Sequence, residues 1–331
     1  MHTFRKILVA IKDPHARRQP GVEKAIGIAR TLGASIELFH ALSTPVLLDV
    51  QPLSGNSLGE LKREASALAR RRLDALVAKA SLVGVTATRA VEWDFPPHEA
   101  IVRAARHFHA DLIIAECHKG RRTVPWLIHL TDWELLRTSS IPVLLLRNTK
   151  PWGRAPVLAA VDPSHVHAKP SGLDGEVVAQ AGRLAAATRS ALHLMHATYP
   201  YFISLGAGDP AIDAALLAVA SSQLKEQDRK DFSVFSKRAS IAGARRHLVS
   251  GDPVDAIPKV ARALGAAVVV MGAVSRSGLK RVFIGNTAER VLSALPCDVL
   301  VVKPPGFAQR VAARSRGVRV LPPQPLVPMP M

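Results

Sequence analysis

Cysteine is nearly absent from this sequence of 331 residues, and long apolar runs are absent altogether. The two cysteines, Cys117 and Cys297, are far apart and form no CxxC motif, which excludes a disulfide framework and gives no zinc-site spacing. The N-terminal apolar run, 7–11, ends at Lys12 and is too short for a signal-peptide core. No later run approaches the roughly 18 apolar residues that cross a bilayer. We therefore expect a soluble, cytoplasmic protein without a membrane partner.

Acidic residues are scarce: 26 stand against 44 basic residues, for a formal net charge of +18. The excess is +8 in residues 1–150, +6 in 151–304 and +4 in 305–331, so it is spread over the whole chain. Nucleic-acid-binding proteins more often concentrate such charge on one element, so we favour a solvated basic surface. Residues 305–331 are rich in proline and poor in large core residues, which predicts a disordered basic tail.

Signatures of catalysis are also missing from the sequence. It contains no Walker A sequence, no HExxH, no G-x-S-x-G and no obvious nucleophile–base or paired-carboxylate arrangement. We therefore predict a protein that is not an enzyme, with no catalytic residues and no metal site.

What the sequence does contain is a repeat of alternating apolar runs and helical patterns. A shift of 156 residues superposes 97–115 on 253–271, and 141–147 on 297–303. The predicted strands are 6–11, 35–41, 86–93, 111–116 and 142–147, then 156–161, 191–197, 245–250, 267–272 and 298–303. The predicted helices are 20–32, 58–82, 97–109 and 131–139, then 173–188, 211–242, 254–264 and 287–295.

Alternation of helices with continuously apolar strands indicates a parallel sheet covered on both faces. We therefore predict an α/β protein of two tandem doubly wound domains, each with a five-stranded parallel sheet. Half one is residues 1–148, half two is residues 155–304, and residues 149–154 form the linker.

Half two resembles a known family. The pattern Gly272-x2-Ser275-x9-Gly285-Asn286 is similar to the G-x2-G-x9-G-(S/T) signature of universal stress proteins, and 157–162 and 250–257 also resemble family counterparts. Residues 4–304 as a whole resemble the tandem, two-domain members of the E type from proteobacteria. The resemblance implies a flavodoxin-like fold, related to the adenine nucleotide alpha hydrolases. It also implies that the last strands of the two halves pair as in the family's homodimer, and a further dimer of whole chains stays open.

The resemblance also implies an adenine-nucleotide site in half two, with ATP or AMP as the cofactor. The acid that ends the first strand would contact adenosine, and a backbone group on the second strand would meet adenine; these are Asp162 and Ala197. The glycine loop and its cations would surround the phosphates, since bare backbone N–H groups and a helix N-terminus favour anions. Its members are Gly272, Ser275, Arg276, Gly278, Gly285, Asn286 and Thr287. Ser275 and Asn286 depart from the family's glycine and hydroxyl residues.

Half one lacks this loop chemistry. The shift of 156 places Glu116 at Gly272, Lys119 at Ser275 and His129 at Gly285. A carboxylate repels a polyphosphate, so we predict that half one binds no ATP. His40 and His196 occupy the same place in both halves, and a residue kept in both copies indicates a requirement of the fold.

These observations predict a non-catalytic stress-response protein that senses an adenine nucleotide in half two only. One alternative is a scaffold or nucleic-acid-associated protein that uses the basic surface. Another is a carrier of an apolar ligand held by the unusually apolar loops 43–57 and 198–210.

Overall fold

The computed structural model describes residues 3–42, 55–117, 125–164, 172–198, 210–273, 286–308 and 310–315. The predicted alternation of strands and helices is confirmed, and most ends agree within a few residues. The largest difference is the fourth helix, which begins at Pro125 and not at 131. Half one contains β1 (Lys6–Ala10), α1 (Pro20–Leu32), β2 (Ser35–Leu42), α2 (Gly55–Ser81), β3 (Ala87–Trp93), α3 (Pro97–His107), β4 (Leu112–Glu116), α4 (Pro125–Thr138) and β5 (Val143–Leu146). Half two contains β6 (Val157–Ala160), α5 (Leu173–Thr188), β7 (Leu192–Thr198), α6 (Pro210–Arg238), β8 (Arg246–Ser250), α7 (Pro253–Leu264), β9 (Val268–Gly272), α8 (Asn286–Ala294) and β10 (Asp298–Val302).

The strands form one ten-stranded sheet in the order β3-β2-β1-β4-β5-β10-β9-β6-β7-β8. All pairs within a half are parallel. The last strands of the two halves meet in the middle, where β5 and β10 pair antiparallel with Leu144 opposite Leu300. The carboxyl ends of the strands in half one and in half two therefore point in opposite directions.

Helices cover both faces of the sheet, as expected for strands that are apolar on both sides. One buried cluster joins the sheet to α1, α2, α5 and α6, and its members include Ile28 of α1 and Leu184 of α5. The second joins the sheet to α3, α4, α7 and α8, and includes Val102 of α3 and Val291 of α8. Each cluster contains residues of both halves, so the two domains share their apolar layers.

A buried carboxylate ties the halves together. Asp298, at the start of β10, is 0% exposed. Its oxygens accept hydrogen bonds from the Lys24 ammonium at 2.5 Å, the Trp152 indole N–H at 2.7 Å and the Arg147 backbone N–H at 2.7 Å. Lys24 lies on α1 and Trp152 in the linker, so the Asp298 side chain of half two accepts hydrogen bonds from half one and from the linker. A buried charge is tolerated because its partners replace water.

The chain does not become disordered directly after β10, which corrects part of the predicted tail. Residues 304–308 and 310–315, which we call the strap, return to half one. Val311 is 5% exposed within the cluster that contains α3, and its carbonyl accepts a hydrogen bond from Arg106 at 3.4 Å. The Ser315 hydroxyl donates to the Asp94 carboxylate at 2.6 Å. Composition alone missed this docking because one buried valine and two polar contacts are enough to hold the strap. Residues 316–331 lie outside the described part of the chain.

Among the described residues, no helix combines the length and the apolar character that crossing a bilayer requires.

Candidate functional site

Each half has one point where the strand order reverses, and such a point forms a crevice at the carboxyl edge of the sheet. In half one the reversal lies between β1 and β4, and in half two it lies between β6 and β9. Asp162 follows β6, Gly272 ends β9, and Ala197 lies near the end of the neighbouring β7. The structure therefore brings these three predicted residues to one edge of half two.

Asp162 is held by the start of α5. Its backbone N–H donates to the Asp174 carboxylate at 3.1 Å, and the Ser164 hydroxyl donates to the Asp162 carboxylate at 3.2 Å. Asp174 is buried, whereas the Asp162 side chain is 30% exposed. Asp162 thus presents a positioned carboxylate to solvent at the crevice.

Gly272 has a packing role that its motif did not predict. A Cβ at this position would lie 2.6 Å from Leu173 Cδ2, so only glycine fits beneath the first residue of α5. Helices α1 and α5 end at equivalent residues, since their C-caps, Gly33 and Arg189, are 156 positions apart. Counted back from these caps, α5 begins three residues earlier than α1. This additional turn places Leu173 over Gly272. The predicted approach of a phosphate to the Gly272 backbone stays a prediction, because Leu173 fills the space on the Cβ side of Gly272 only.

Half one has a carboxylate at the equivalent place. Glu116 ends β4 and accepts a hydrogen bond from the Gly21 backbone N–H at 3.0 Å. Gly21 lies in the first turn of α1, where backbone N–H groups have no partner within the helix and the helix dipole favours an anion. The protein's own Glu116 thus occupies the helix N-terminus that an anionic ligand would use.

The repeated histidines have the same structural role in both halves, which confirms the prediction that they serve the fold. His40 Nδ1 bonds the Ile11 carbonyl at 2.7 Å, and His196 Nδ1 bonds the Val161 carbonyl at 3.1 Å. Burial lowers the pKa of His40. Because Ile11 and Val161 correspond, the residues that follow them, Lys12 and Asp162, correspond as well. Half one therefore has Lys12 at the position of the partly exposed Asp162, and its own carboxylate, Asp13, follows one residue later.

His196 has a second neighbour that the motifs did not indicate. Its Nε2 is buried without a hydrogen-bond partner among the described residues and lies 4.0 Å from Asp228 Oδ2 of α6. The shift of 156 places the exposed Arg72 at Asp228, so this acid is peculiar to half two.

Most of the predicted phosphate loop lies outside the described residues. Ser275, Arg276, Gly278 and Gly285 lie outside the described residues, as do most of the two apolar loops after β2 and β7. Asn286 begins α8, but its side chain is outside the described part. Thr287 is exposed in the first turn of α8.

A family model described as the universal stress protein family matches residues 3–147 and 155–303. The chain belongs to the universal stress protein family. The two matched segments coincide closely with half one and half two, so this universal stress protein carries two tandem family domains.

Whole-chain relatives have the same tandem arrangement. The chain is 28% identical over 317 residues to universal stress protein E of Salmonella typhi, covering 92% of this chain and 96% of that protein. It is also 28% identical over 320 residues to universal stress protein E of Photorhabdus laumondii, covering 93% and 97%. The predicted resemblance to the E type is thereby confirmed.

Solved structures confirm the fold. A putative universal stress protein from Pseudomonas aeruginosa UCBPP-PA14 matches with a TM-score of 0.69 and 24% identity, over 91% of this chain and 94% of that one. A universal stress protein from Archaeoglobus fulgidus DSM 4304 matches with a TM-score of 0.59 and 18% identity, over 91% and 98%.

Sequence reasoning missed one residue at this universal stress protein's half-two edge. Lys303 directly follows β10, is 7% exposed, and its ammonium donates to the Ala273 carbonyl at 2.8 Å. Burial, with smaller contributions from Arg310 and Arg137, lowers the pKa of Lys303 to about 7. The sequence did contain a signal that could have identified Lys303: it is a lysine that directly follows a buried strand, at the edge where ligand binding was predicted.

The two cysteines offer little nucleophilic chemistry. Burial is the main cause that raises the pKa of both Cys117 and Cys297 to about 11, with Asp132 contributing at Cys117 and Asp298 at Cys297. Both thiols are therefore protonated near neutral pH. Within the described ranges, no group of three or more His, Cys, Asp or Glu side chains has a metal-binding arrangement.

Proposed function

We propose that this universal stress protein acts in the stress response as a non-catalytic sensor that binds one adenine nucleotide, ATP or AMP, in half two. The observation that carries the proposal is the contrast at the two crevices. In half one, Glu116 places a carboxylate at the N-terminus of α1. In half two, the matching residue is Gly272, which has no side chain to place a carboxylate at that point.

Asp162 supports a nucleotide over a simple anion. A carboxylate that is positioned at its backbone by Asp174 and still exposed can accept hydrogen bonds from ribose hydroxyls. Thr287 is exposed in the first turn of α8, where backbone N–H groups and the helix dipole favour phosphate oxygens. The half-two edge therefore offers an acceptor for the sugar and a separate region for the anion.

A sensor in place of an enzyme is supported by the groups that would have to react. The two cysteine thiols have raised pKa values, and the His196 ring is 4% exposed, buried away from solvent. A change that a ligand causes at this edge would instead be passed on to half one, because the two halves share buried layers and the Asp298 contacts.

Isothermal titration calorimetry of the full chain with ATP, AMP and adenosine tests the proposal. We expect one ATP or AMP per chain. Asp162→Ala should weaken binding about tenfold or more, because it removes hydrogen bonds to a charged acceptor. Gly285→Glu, which places a carboxylate in the loop, should abolish it.

Lys12→Ala is the matched control, since Lys12 occupies the place of Asp162 in half one; it should leave nucleotide affinity unchanged. No binding at millimolar nucleotide would reject nucleotide sensing. Two nucleotides per chain would contradict the assignment to half two alone.

A further inference from the structure

Three cationic side chains from three different elements meet beside the half-two crevice. They are Lys303 after β10, Arg137 of α4 in half one, and Arg310 of the strap; we call them the cation cluster. Arg310 and Arg137 are the two charges that act on Lys303. The family signature contains none of these residues, and each reaches the edge through the way the halves and the strap pack.

Lys303 and Arg310 share an aromatic partner. The Lys303 Nζ lies 5.1 Å from the centre of the Phe307 ring, and the Arg310 Cζ lies 5.1 Å from the same centre. Neither forms an ion pair with a described residue, although Lys303 is buried. When Lys303 is protonated, the two charges at one ring repel each other, so an anion that bound between them would interact favourably with both.

Arg137, the third member of the cation cluster, already forms ion pairs with two carboxylates. It contacts Glu134 at 2.7 Å and Glu289 of α8 at 3.2 Å. Its Nε is buried without a hydrogen-bond partner among the described residues. The contact with Glu289 connects half one to the first turn of α8.

Lys303 contacts the residue that follows Gly272. Leu173 fills the space on the side of Gly272 where a Cβ would stand. The next residue, Ala273, accepts the hydrogen bond from the Lys303 ammonium. Lys303 therefore places its amine at the carboxyl end of β9, the edge at which the proposed nucleotide binds.

We propose that Lys303 and Arg310, backed by Arg137, bind the phosphate end of the nucleotide in half two, with the strap forming one wall of the site. This inference rests on the proposed function and adds the residues that select a charged ligand over adenosine. The matching position in half one is Arg147, whose guanidinium donates to the Leu292 and Ser293 carbonyls at the end of α8. Half one's equivalent cation is thus already engaged.

If Lys303 binds the phosphate end, the protein should take up a proton when the nucleotide binds. The pKa of Lys303 is lowered to about 7 by burial, Arg310 and Arg137, so at pH 7.5 the amine is mostly neutral. A bound phosphate supplies the missing counter-charge and raises that pKa, so Lys303 takes up a proton when the anion binds. Glu134 and Glu289, both paired with Arg137, are the carboxylates that face the cluster from α4 and α8.

The test is calorimetric titration of the full chain with ATP and with adenosine at pH 7.5, in two buffers of different ionisation enthalpy. Wild type should take up about half to three-quarters of a proton per ATP. Lys303→Met should abolish the uptake and weaken ATP binding roughly tenfold, with adenosine affinity unchanged. Arg310→Gln should weaken ATP by roughly three- to tenfold. Arg314→Gln, another exposed strap arginine, is the matched control and should match wild type.

The outcomes separate the two proposals. ATP binding without proton uptake, and equal affinities for wild type, Lys303→Met and Arg310→Gln, would overturn the cation cluster and leave nucleotide sensing intact. Absence of ATP binding by wild type would reject both. If Lys303→Met does not fold, the comparison of Arg310→Gln with Arg314→Gln still decides, because equal affinities there would exclude the strap from the site.

Discussion

The two halves have one fold but opposite chemistry at their crevices. Half one ends β4 with Glu116, whose carboxylate reaches the first turn of its own α1. Half two ends β9 with Gly272, covered by an apolar side chain from an additional turn of α5. Half one also has Lys12 where half two presents Asp162. The two halves therefore share one scaffold and differ at a few side chains beside the switch points. In half one a carboxylate of the chain itself lies at the crevice, and half two is where we propose that a ligand binds.

The largest predicted effect concerns a carboxylate that only half two supplies. The shift of 156 places Pro142 at Asp298, so half one has no equivalent. Asp298→Ala would leave the buried Lys24 without its carboxylate, with the Asn148 carbonyl still accepting from it, and would leave the Trp152 N–H without its acceptor. We expect a loss of about 3–5 kcal/mol in the free energy of unfolding, measured by urea denaturation. Asp74→Ala, which removes an exposed ion pair with Arg89, is the control and should change little. Similar losses for both variants would show that the Asp298 contacts do not join the halves.

The second prediction tests why the crevices differ at the end of the fourth strand. Gly272→Ala should cost about 1–3 kcal/mol, because its Cβ overlaps Leu173. Combining it with Leu173→Ala should give a loss smaller than the sum of the single losses. Gly175→Ala in α5 is the control: a Cβ there meets nothing within 4 Å, and alanine favours a helix, so stability should rise slightly. Strict additivity in the double variant would contradict the packing explanation.

The sequence predicted what depends on local pattern. Strands, helices, the two-domain division and the roles of His40 and His196 follow from apolar periodicity and the repeat. The reason for Gly272 was out of reach, because the additional turn of α5 follows a loop whose length the motif does not constrain. Lys303 was missed because its environment combines Arg137 of half one with Arg310 of the strap, which are 173 positions apart in the chain. Contacts of that kind depend on how the halves pack, and a single sequence does not reveal that.

The third prediction compares matched cations of the two halves. The folded-state pKa of Lys303, about 7, lies below the ordinary value of 10.5, so between these values the folded protein holds fewer protons than the unfolded chain. Stability linked to Lys303 therefore rises with pH across that window, and its penalty is greatest at and below pH 7.

Lys303→Met removes this penalty and loses the bond to Ala273. We expect a gain on the order of 2 kcal/mol at pH 7 that shrinks as pH approaches 10.5. Arg147→Met should instead destabilise the protein at every pH, because the Leu292 and Ser293 carbonyls lose their donor. A pH-independent effect of Lys303→Met would show that the amine is not buried as described.

The smallest predicted effect concerns the strap, which follows half two in sequence and contacts half one in space. Ser315→Ala removes the hydrogen bond to Asp94, a carboxylate that Arg103 still holds. The expected loss is about 1 kcal/mol or less. It should appear more clearly as faster tryptic cleavage after Arg310 and Arg314, since cleavage of a docked segment follows its local opening. Arg314→Lys keeps a tryptic site and leaves the Ser315 contact in place, so its cleavage rate should match wild type. If Ser315→Ala is cleaved no faster than wild type, the Ser315 hydroxyl does not hold the strap, and the contacts of Val311 with α3 of half one keep it in place.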